Sequence, residues 1–395
     1  MRVVVIGASL AGVRTVQGLR RRGSTAEIVL VGAEGGCVDG VAVDRPPLSK
    51  AFLADPAAVA PPLITAEALG ELGVRLVPDR ATDLDLPTRR VVLHGGEALD
   101  FDALVIATGS TPRTLPGLEP RPGVHVLRTG ADALAIRNAC VPGARVVVVG
   151  GGFIGGEVAW TARELGCAVT VVEMLPTLLV RGLGPHLGAA FTRRHAAAGI
   201  DLRLGSGVAA IEGEQHAQAV RLTDGTWIPA DVVVLGLGTV PETDWLKSSG
   251  LDLRDGVVCD EHLAARGAEG VYAVGDVARW HHPRYDTDTR VEHWTNAVET
   301  ASVVAKNLTG EPAVHDAVPY VWSDQLGGRL QVFGRVRPQD EVRVLQGDPD
   351  GSFVAVSGGD GLLQAAVGFG AVRGLRPYAR LLEAGAGWDE ALAVV

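Results

Sequence analysis

Two copies of one pattern constrain the fold of this chain: an apolar strand, a glycine-rich turn, a helix, a second strand and a carboxylate. In the first copy, residues 2–6 predict the strand, residues 7–12 (GASLAG) the turn, and the residues up to Arg22 the helix. A second strand at residues 27–31 leads to Glu34. Such a turn lets a diphosphate lie on the helix N-terminus, where free backbone N–H groups and the helix dipole favour negative charge. The pattern is therefore typical of a dinucleotide-binding unit.

The first copy is only moderately specific by itself. Gly7 permits the tight turn and Gly12 permits close packing of the helix, but Ser9 stands where the middle glycine is expected. A βαβ unit that binds nothing therefore remains the alternative for this copy.

The second copy carries the complete motif. Its glycines Gly150, Gly152 and Gly155 follow a strand at residues 145–149, and the next strand ends in Glu173. This carboxylate comes 23 residues after the first glycine, close to the expected spacing of about 20. A carboxylate there accepts hydrogen bonds from a ribose 2′-OH and repels a 2′-phosphate, so we expect NADH rather than NADPH.

Length, charge and hydropathy exclude several classes of protein. At 395 residues the chain is expected to form two or three domains. The net charge of −10 argues against nucleic acid as a partner. No apolar run reaches the ~18 residues of a membrane span, and the N-terminus lacks a cleavage-type site. We therefore expect no membrane association and a cytoplasmic protein.

The four cysteines predict neither a disulfide framework nor a zinc or dithiol centre, because no pair has CxxC or CxxxxC spacing. The adjacent residues His281 and His282 point their rings apart rather than at one ion, so no metal is expected. Buried or incidental thiols are the favoured interpretation of Cys37, Cys140, Cys167 and Cys259.

The order of further segments predicts how the domains are arranged. Residues 103–113 and 231–243 each form a strand and a glycine turn after one unit, and residues 270–280 end a strand in Gly-Asp. Asp276 in that turn can bind a ribityl hydroxyl, although an ordinary helix cap would look the same locally. Two units in one chain suggest one site for a flavin dinucleotide and one for a nicotinamide dinucleotide. Because the Gly-Asp turn follows the second unit, that unit must be inserted in the flavin domain.

We therefore expect an α/β fold with two Rossmann-type dinucleotide-binding domains, for FAD and NAD, and a small C-terminal α+β domain. The predicted boundaries are 1–114 and 245–315 for the discontinuous FAD domain, 115–244 for the NAD domain and 316–395 for the third domain. In the third domain, strand-like patches at residues 329–334, 341–346 and 352–358 precede a polar, helical tail.

One of the chain's three lysines stands in an unusual place, shortly after two adjacent prolines in residues 44–50 (DRPPLSK). The prolines fix φ and stiffen the segment that carries Lys50. In a chain that uses arginine almost everywhere else, this position raises the question of why a compact ammonium is needed. A solvated loop lysine is the alternative.

Taken together, these segments resemble those of a known family, the FAD-dependent NADH:ferredoxin reductases of the glutathione-reductase-like superfamily. The most specific matches are DRPPLSK at 44–50, VEHWTNAVE at 291–299 and WSDQ at 322–325, whereas the glycine motifs are less specific. Matching segments run from the first strand to the third domain, so the resemblance covers nearly the whole chain.

The resemblance implies a reaction, cofactors and a partner. NADH would give a hydride to N5 of a tightly, non-covalently bound FAD. Electrons would then pass singly to a 2Fe–2S ferredoxin that serves a haem monooxygenase or a Rieske-type oxygenase. In the family the lysine of this segment reaches the flavin near N5. Lys50 and Glu157, which would hold the lysine in place, are therefore the candidate catalytic pair. A monomer or weak homodimer is expected.

The resemblance also implies cofactor contacts. Ala11, Glu34 and Ala81 would lie at the adenosine end of FAD. Trp294 and Trp322 would lie near its ring system, with a core position as the alternative for Trp322. The remaining expected contacts with FAD or NADH are Gly7, Ser9, Gly12, Arg45, Lys50, Ala107, Thr108, Gly109, Arg128, Gly150, Gly152, Phe153, Ile154, Gly155, Glu157, Glu173, Gly238, Asp276, Glu292 and His293.

The chain departs from the family pattern at residues 35–43, a segment longer than usual that contains Cys37. A flavin-linked redox cysteine there would make the protein an NADH oxidase or a disulfide reductase, and an NADH-sensing flavoprotein is a further alternative. For docking an acidic ferredoxin, the candidate basic patch consists of Arg279, Arg284, Arg290, Arg329, Arg335 and Arg337.

Overall fold

The first unit forms a parallel five-stranded sheet in a computed structural model that describes residues 1–34, 41–60, 62–118 and 121–394. The two predicted strands pair in register from Arg2 opposite Glu27 to Ile6 opposite Val31. Their central side chains are fully buried, as apolar strands of a parallel sheet usually are. In sheet order the strands are Val271–Ala273, Ala103–Ile106, Arg2–Ile6, Glu27–Val31 and Val74–Val77.

The chain leaves this sheet after Ala103–Ile106 and returns to it at Val271–Ala273. The two strands pair in parallel, with Val271 opposite Leu104. A second sheet is built from the intervening residues, which is the expected topology of an inserted domain. The predicted boundary residues themselves stay a prediction.

Smaller elements surround the first sheet. Helices Leu10–Arg21 and Trp294–Leu308 pack so closely that a Cβ at Gly18 would lie 2.9 Å from Ala305 Cβ. Residues 44–50 fold as the 3-10 helix Pro46–Ser49 rather than as a loop, because proline suits the first turn of a helix. The other elements are strands Ala81–Asp85, Arg90–Leu93, Ala98–Asp100, Val257–Cys259, Ala278–His282 and Thr287–Thr289, helices Ala51–Ala54 and Ala66–Glu71, and 3-10 helices Asp244–Leu246 and Gly275–Val277.

The second unit repeats the architecture of the first. Its parallel sheet has the order Asp201–Leu204, Ala168–Glu173, Arg145–Val149, Val232–Leu235, Val124–Val126. The accompanying helices are Gly130–Ala139, Phe153–Glu164 and Val180–Ala197; Thr129 and Asp132 form a capping box at the start of the first of them. Two antiparallel additions complete the unit: Val208–Glu212, Ala219–Leu222 and Trp227–Pro229, and the pair Ser110–Pro112 with Thr239–Pro241.

The third segment is an antiparallel five-stranded sheet with two helices. In sheet order the strands are Tyr320–Gln325, Gly328–Gly334, Leu362–Phe369, Phe353–Gly359 and Glu341–Gly347, and the helices are Val372–Ala384 and Trp388–Leu392. The first and third of these strands escaped the sequence prediction. The expectation of a polar tail was wrong, because Leu375, Tyr378 and Leu382 bury one face of the long helix.

The third sheet shares a hydrophobic core with the second unit rather than standing apart. Phe369 lies edge-on to Phe191, with 5.5 Å between ring centroids, and Leu330 and Val367 belong to the same cluster as Val146. This packing brings strand Tyr320–Gln325 next to the helix Phe153–Glu164, which follows the glycine turn of the second unit. In the parts of the chain that the structure describes, no helix is both long and apolar enough to cross a membrane.

Candidate functional site

A cavity of about 850 Å³ lies where the three parts of the chain meet. The glycine turns of both units and the 3-10 helix Pro46–Ser49 contribute to its wall. The third sheet adds Val321 and Trp322. The cavity opens at the carboxyl ends of the parallel strands, where ligands bind in open α/β sheets.

The first glycine turn is built for close backbone approach. Gly7 has φ of +117°, and a Cβ there would lie 2.2 Å from the Ala107 carbonyl oxygen. A Cβ at Gly12 would lie 1.9 Å from the Gly7 carbonyl oxygen, so the helix packs directly on the turn. Ser9 precedes that helix without a side-chain cap, which leaves backbone N–H groups directed at the cavity.

The second turn has the same construction and adds a fixed carboxylate. Glu173 accepts hydrogen bonds from the backbone N–H of Gly151 at 2.6 Å and of Leu175 at 2.8 Å. Both of its oxygens are thereby oriented at the cavity wall, and each retains a lone pair for a ligand hydroxyl.

A polar cluster surrounds the Gly-Asp turn at the other end of the cavity. Asp276 accepts hydrogen bonds from Ser110 Oγ at 2.8 Å and from Arg128 Nη2 at 3.1 Å. Burial lowers the pKa of Arg128, and the Arg45 charge lowers it further, whereas Asp276 raises it. Arg45 in turn pairs with Glu34 at 2.9 Å.

Lys50 and Glu157 form an ion pair beside the cavity, with Lys50 Nζ 2.8 Å from Glu157 Oε2. The lysine side chain is 17% exposed and the glutamate 2%. Lys50 also donates to the Pro46 carbonyl oxygen at 3.1 Å, so the 3-10 helix that carries it also orients it.

Two tryptophans form the adjoining wall. Trp294 Nε1 donates to Asp44 Oδ1 at 2.9 Å, and the Trp294 and Trp322 rings meet edge-on with centroids 6.0 Å apart. The neighbouring His293 is partly buried, and the desolvation of its imidazole lowers its pKa to about 4. The imidazole is therefore neutral near pH 7.

Most of the predicted site residues meet at this cavity. Those that line it are Ser9, Ala11, Arg45, Lys50, Ala107, Thr108, Gly109, Arg128, Gly150, Gly152, Phe153, Ile154, Glu157, Glu173, Gly238, Asp276, Glu292, His293, Trp294 and Trp322. Gly7, Gly12 and Gly155 lie beneath the turns, where a Cβ would meet backbone. Glu34 is not in the wall but pairs with Arg45, and Ala81 is buried at the start of a strand; their predicted adenosine contacts stay predictions.

Sequence reasoning missed several side chains that hold the predicted ones. Ser49 and Ser323 donate to Glu157, Ser110 donates to Asp276, and Asp44 accepts from Trp294. The motif DRPPLSK contains Asp44 and Ser49, and the motif WSDQ contains Ser323. The motifs therefore pointed to these residues, although the sequence alone did not indicate what each one contacts.

The residues present fit a flavin dinucleotide and a nicotinamide dinucleotide. Within the described residues, Arg45 Nε, Arg128 Nε and His293 Nδ1 are fully buried atoms without a hydrogen-bond partner, as expected of groups that await a polar ligand. The two uncapped turns supply two anion sites, one for each dinucleotide. A Cβ at Gly152 would meet nothing within 4 Å, so this turn faces open space.

These features define the class of protein. Residues 1–301 match the family of pyridine nucleotide-disulphide oxidoreductases, and residues 320–394 match the family described as reductase C-terminal. The chain belongs to the pyridine nucleotide-disulphide oxidoreductase family.

Full-length relatives place the chain more narrowly. It is 38% identical over 394 residues to the ferredoxin reductase component of chlorobenzene dioxygenase from Cupriavidus sp. strain PS12, covering 98% of this chain and 94% of the relative. It is 36% identical over 353 residues to putidaredoxin reductase from Pseudomonas putida, covering 87% and 82%. The reductase in a covalent putidaredoxin reductase–putidaredoxin complex superimposes with a TM-score of 0.91 at 32% identity, covering 96% and 92%. The chain is therefore an oxidoreductase of the ferredoxin reductase family, which confirms the resemblance and the fold class predicted from the sequence.

Proposed function

We propose that the protein is an FAD-dependent NADH:ferredoxin reductase that passes electrons to a 2Fe–2S ferredoxin. The observation that carries the proposal is the Lys50–Glu157 pair at the wall of one cavity shared by two dinucleotide-type turns. A monomer or weak homodimer serving a haem monooxygenase or a Rieske-type oxygenase completes the proposal. Relatives named as components of dioxygenase systems support an oxygenase as the final acceptor of the electrons.

The first turn, together with Arg45, Arg128 and Asp276, would hold FAD. The uncapped helix start and the two partly buried guanidinium groups suit a diphosphate. Asp276, already fixed by Ser110 and Arg128, is placed to accept a hydrogen bond from a ribityl hydroxyl.

The second turn and Glu173 would hold NADH. The Glu173 carboxylate is fixed by two backbone N–H groups, so its negative charge stays at the cavity wall. A 2′-phosphate brought to that carboxylate would meet like charge, whereas a 2′-OH would donate a hydrogen bond. NADH is therefore the expected substrate.

The flavin supplies hydride acceptance and release of single electrons when it is bound. Lys50 keeps a compact positive charge at the cavity, where it stabilises negative charge that develops beside it. Glu157 keeps the ammonium in place and offsets the cost of its partial burial. Trp294 and Trp322 help to exclude water from the same region.

The predicted arginine patch is largely neutralised within the protein. Arg279 and Arg290 both pair with Asp255, and Arg329 pairs with Asp324. Arg337 likewise pairs with Asp340. Arg284 donates to backbone carbonyl oxygens and Arg335 lies over the Tyr285 ring, so these two keep their charge. Support for a ferredoxin partner therefore comes from the family and not from this patch.

No specific observation favours the oxidase or disulfide reductase alternative. Cys37 lies outside the described residues. Cys140, Cys167 and Cys259 are buried, and burial raises the pKa of Cys140 and Cys259 to about 12, which disfavours the reactive thiolate.

An anaerobic spectroscopic experiment tests the proposal. Purified protein is mixed with NADH and then with an oxidised 2Fe–2S ferredoxin, while the absorbance of both chromophores is followed. We expect a flavin spectrum that NADH bleaches and that returns as the ferredoxin is reduced, with little bleaching by NADPH. Bleaching without transfer to any of several ferredoxins, but with rapid reoxidation by oxygen or a disulfide, would replace the proposal with the oxidase alternative.

A further inference from the structure

The Glu157 carboxylate receives hydrogen bonds from three side chains in two separate parts of the chain. Oε2 accepts from Ser49 Oγ and from Lys50 Nζ, both in the DRPPLSK segment. Oε1 accepts from Ser323 Oγ at 2.6 Å, and Ser323 belongs to the C-terminal sheet. Glu157, Ser49 and Ser323 are each at most 2% exposed, so water does not compete for these contacts. The position of the Glu157 carboxylate therefore depends on the C-terminal sheet as well as on Lys50.

The direction of the Ser323 hydrogen bond is set by a further side chain. Gln325 Nε2 donates to Ser323 Oγ at 2.8 Å, and Gln325 is 1% exposed. A serine hydroxyl has one proton, so a hydroxyl that accepts from an amide N–H is free to direct that proton at the carboxylate. The reversed amide would compete for the same proton and leave Glu157 Oε1 without a donor in a buried place.

The surroundings of Gln325 leave it little freedom. A Cβ at Gly156 would lie 2.7 Å from Gln325 Oε1, so only glycine at that position admits the side chain. On the same side lies His195, which is fully buried and anchored by its Nδ1, 2.8 Å from the Phe191 carbonyl oxygen. Gln325 is thereby held between the helix of the second glycine turn and the helix Val180–Ala197.

We propose that Ser323 and Gln325 are positioning residues that hold the Glu157 carboxylate and, through it, the Lys50 ammonium at the cavity. The C-terminal sheet thus sets how strongly the site favours a reduced, negatively charged flavin. This inference rests on the proposed function, because it assumes that the flavin ring lies near Lys50.

Loss of the Ser323 donor leaves part of the Glu157 charge uncompensated. The carboxylate then draws Lys50 Nζ toward itself and adds a negative field at the cavity. Both effects disfavour negative charge on the bound flavin, so the reduced form becomes less favourable. Loss of the Gln325 amide acts in the same direction but more weakly, because it only frees the hydroxyl to rotate.

The test is the equilibrium between oxidised and reduced flavin in the FAD-loaded protein at fixed NADH:NAD⁺ ratios, read by absorbance without any ferredoxin. For Ser323→Ala we expect the reduced:oxidised ratio to fall about tenfold, which equals about 30 mV for a two-electron couple. For Gln325→Met we expect a fall of about threefold. Thermal unfolding and flavin content verify that each variant is folded and loaded.

Matched controls come from the same sheet. Ser357 is also fully buried and its hydroxyl donates to Asp340 at 3.1 Å, and Gln364 is 8% exposed; neither lines the cavity. Ser357→Ala and Gln364→Leu should leave the flavin equilibrium at the wild-type value. If Ser323→Ala is folded and has the same reduced:oxidised flavin ratio as Ser357→Ala, the proposal is overturned. If Ser323→Ala does not fold, the comparison of Gln325→Met with Gln364→Leu decides in the same way. A shifted equilibrium in a protein that reduces no ferredoxin would refute the proposed function and leave this inference standing.

Discussion

Lys50 Nζ lies 2.8 Å from Glu157 Oε2, and the two side chains differ sharply in exposure, 17% for the lysine and 2% for the glutamate. Both side chains line the cavity, but the glutamate is enclosed by donors, whereas the lysine is the more exposed of the two. The buried Glu157 carboxylate therefore serves as a fixed counter-ion that holds the Lys50 ammonium in place. Its positive end is the one available to a ligand.

Replacing Lys50 with methionine should slow bleaching of the flavin by NADH by about 100-fold, because a positioned positive charge at the developing negative charge is lost. Stopped-flow absorbance under anaerobic conditions measures this rate directly. Binding of NADH should change much less, since Glu173 and the second glycine turn are untouched.

The control for this variant is Lys306→Met. Lys306 lies in the helix Trp294–Leu308, and its Nζ is 4.0 Å from Glu311 Oε1. Equal slowing in both variants would show that Lys50 has no special role in hydride transfer.

Glu173→Gln should weaken the preference for NADH over NADPH. The amide keeps the shape of the side chain but loses the charge that repels a 2′-phosphate and strengthens the bond to a 2′-OH. We expect the ratio of kcat/KM values for the two nucleotides to fall by about tenfold. Glu164→Gln, an exposed substitution at the end of the same unit's helix, is the matched control. An unchanged ratio in Glu173→Gln would mean that another group selects the nucleotide.

Sequence periodicity located the parallel strands well because they are continuous apolar runs that follow or precede glycine turns. The strands Arg2–Ile6, Glu27–Val31 and Arg145–Val149 have the predicted bounds. Strand Leu362–Phe369 was missed because it is buried over nearly its whole length and shows no alternation of apolar and polar residues.

The donors that organise the site were harder to predict. Ser49 is 108 residues from Glu157 along the chain, and Ser323 is 166 residues away. A single serine carries no periodic signal, and its role depends on how the third sheet packs against the second unit. The motifs contain these two serines, but only the packing of the third sheet shows that both donate to the Glu157 carboxylate.

Asp276→Asn should weaken retention of the flavin by about tenfold in Kd. The neutral amide leaves the partly buried Arg128 guanidinium without its ion pair, and it removes the charged acceptor proposed for a ribityl hydroxyl. The measurement is the flavin-to-protein ratio after dialysis, together with titration of the apoprotein by fluorescence quenching. Asp286→Asn, at a side chain that is 96% exposed, should retain flavin like the wild type. Equal retention of flavin by both variants would show that Asp276 does not hold the flavin.

The protein should lose stability as the pH falls below about 6.5, partly because of His315. Burial lowers the pKa of this 3%-exposed imidazole from 6.5 to about 3. The folded state therefore binds this proton only at a lower pH than the unfolded state does. The stability that neutral His315 contributes is present above pH 6.5 and is lost as the pH falls toward about 3. The loss for one such group is about 1.4 kcal/mol per pH unit within that window.

His315→Gln should reduce this loss, because glutamine does not titrate and can still donate to Asn296 Oδ1, which the imidazole Nε2 meets at 3.1 Å. Trp280 lies 4.8 Å from His315 between ring centroids, so tryptophan fluorescence during urea unfolding reports on this region. When the pH is lowered from about 8 to about 5, the urea concentration at the unfolding midpoint should fall more for the wild type and for the exposed control His186→Gln than for His315→Gln. Parallel decreases in all three proteins would show that protonation of His315 does not drive acid unfolding.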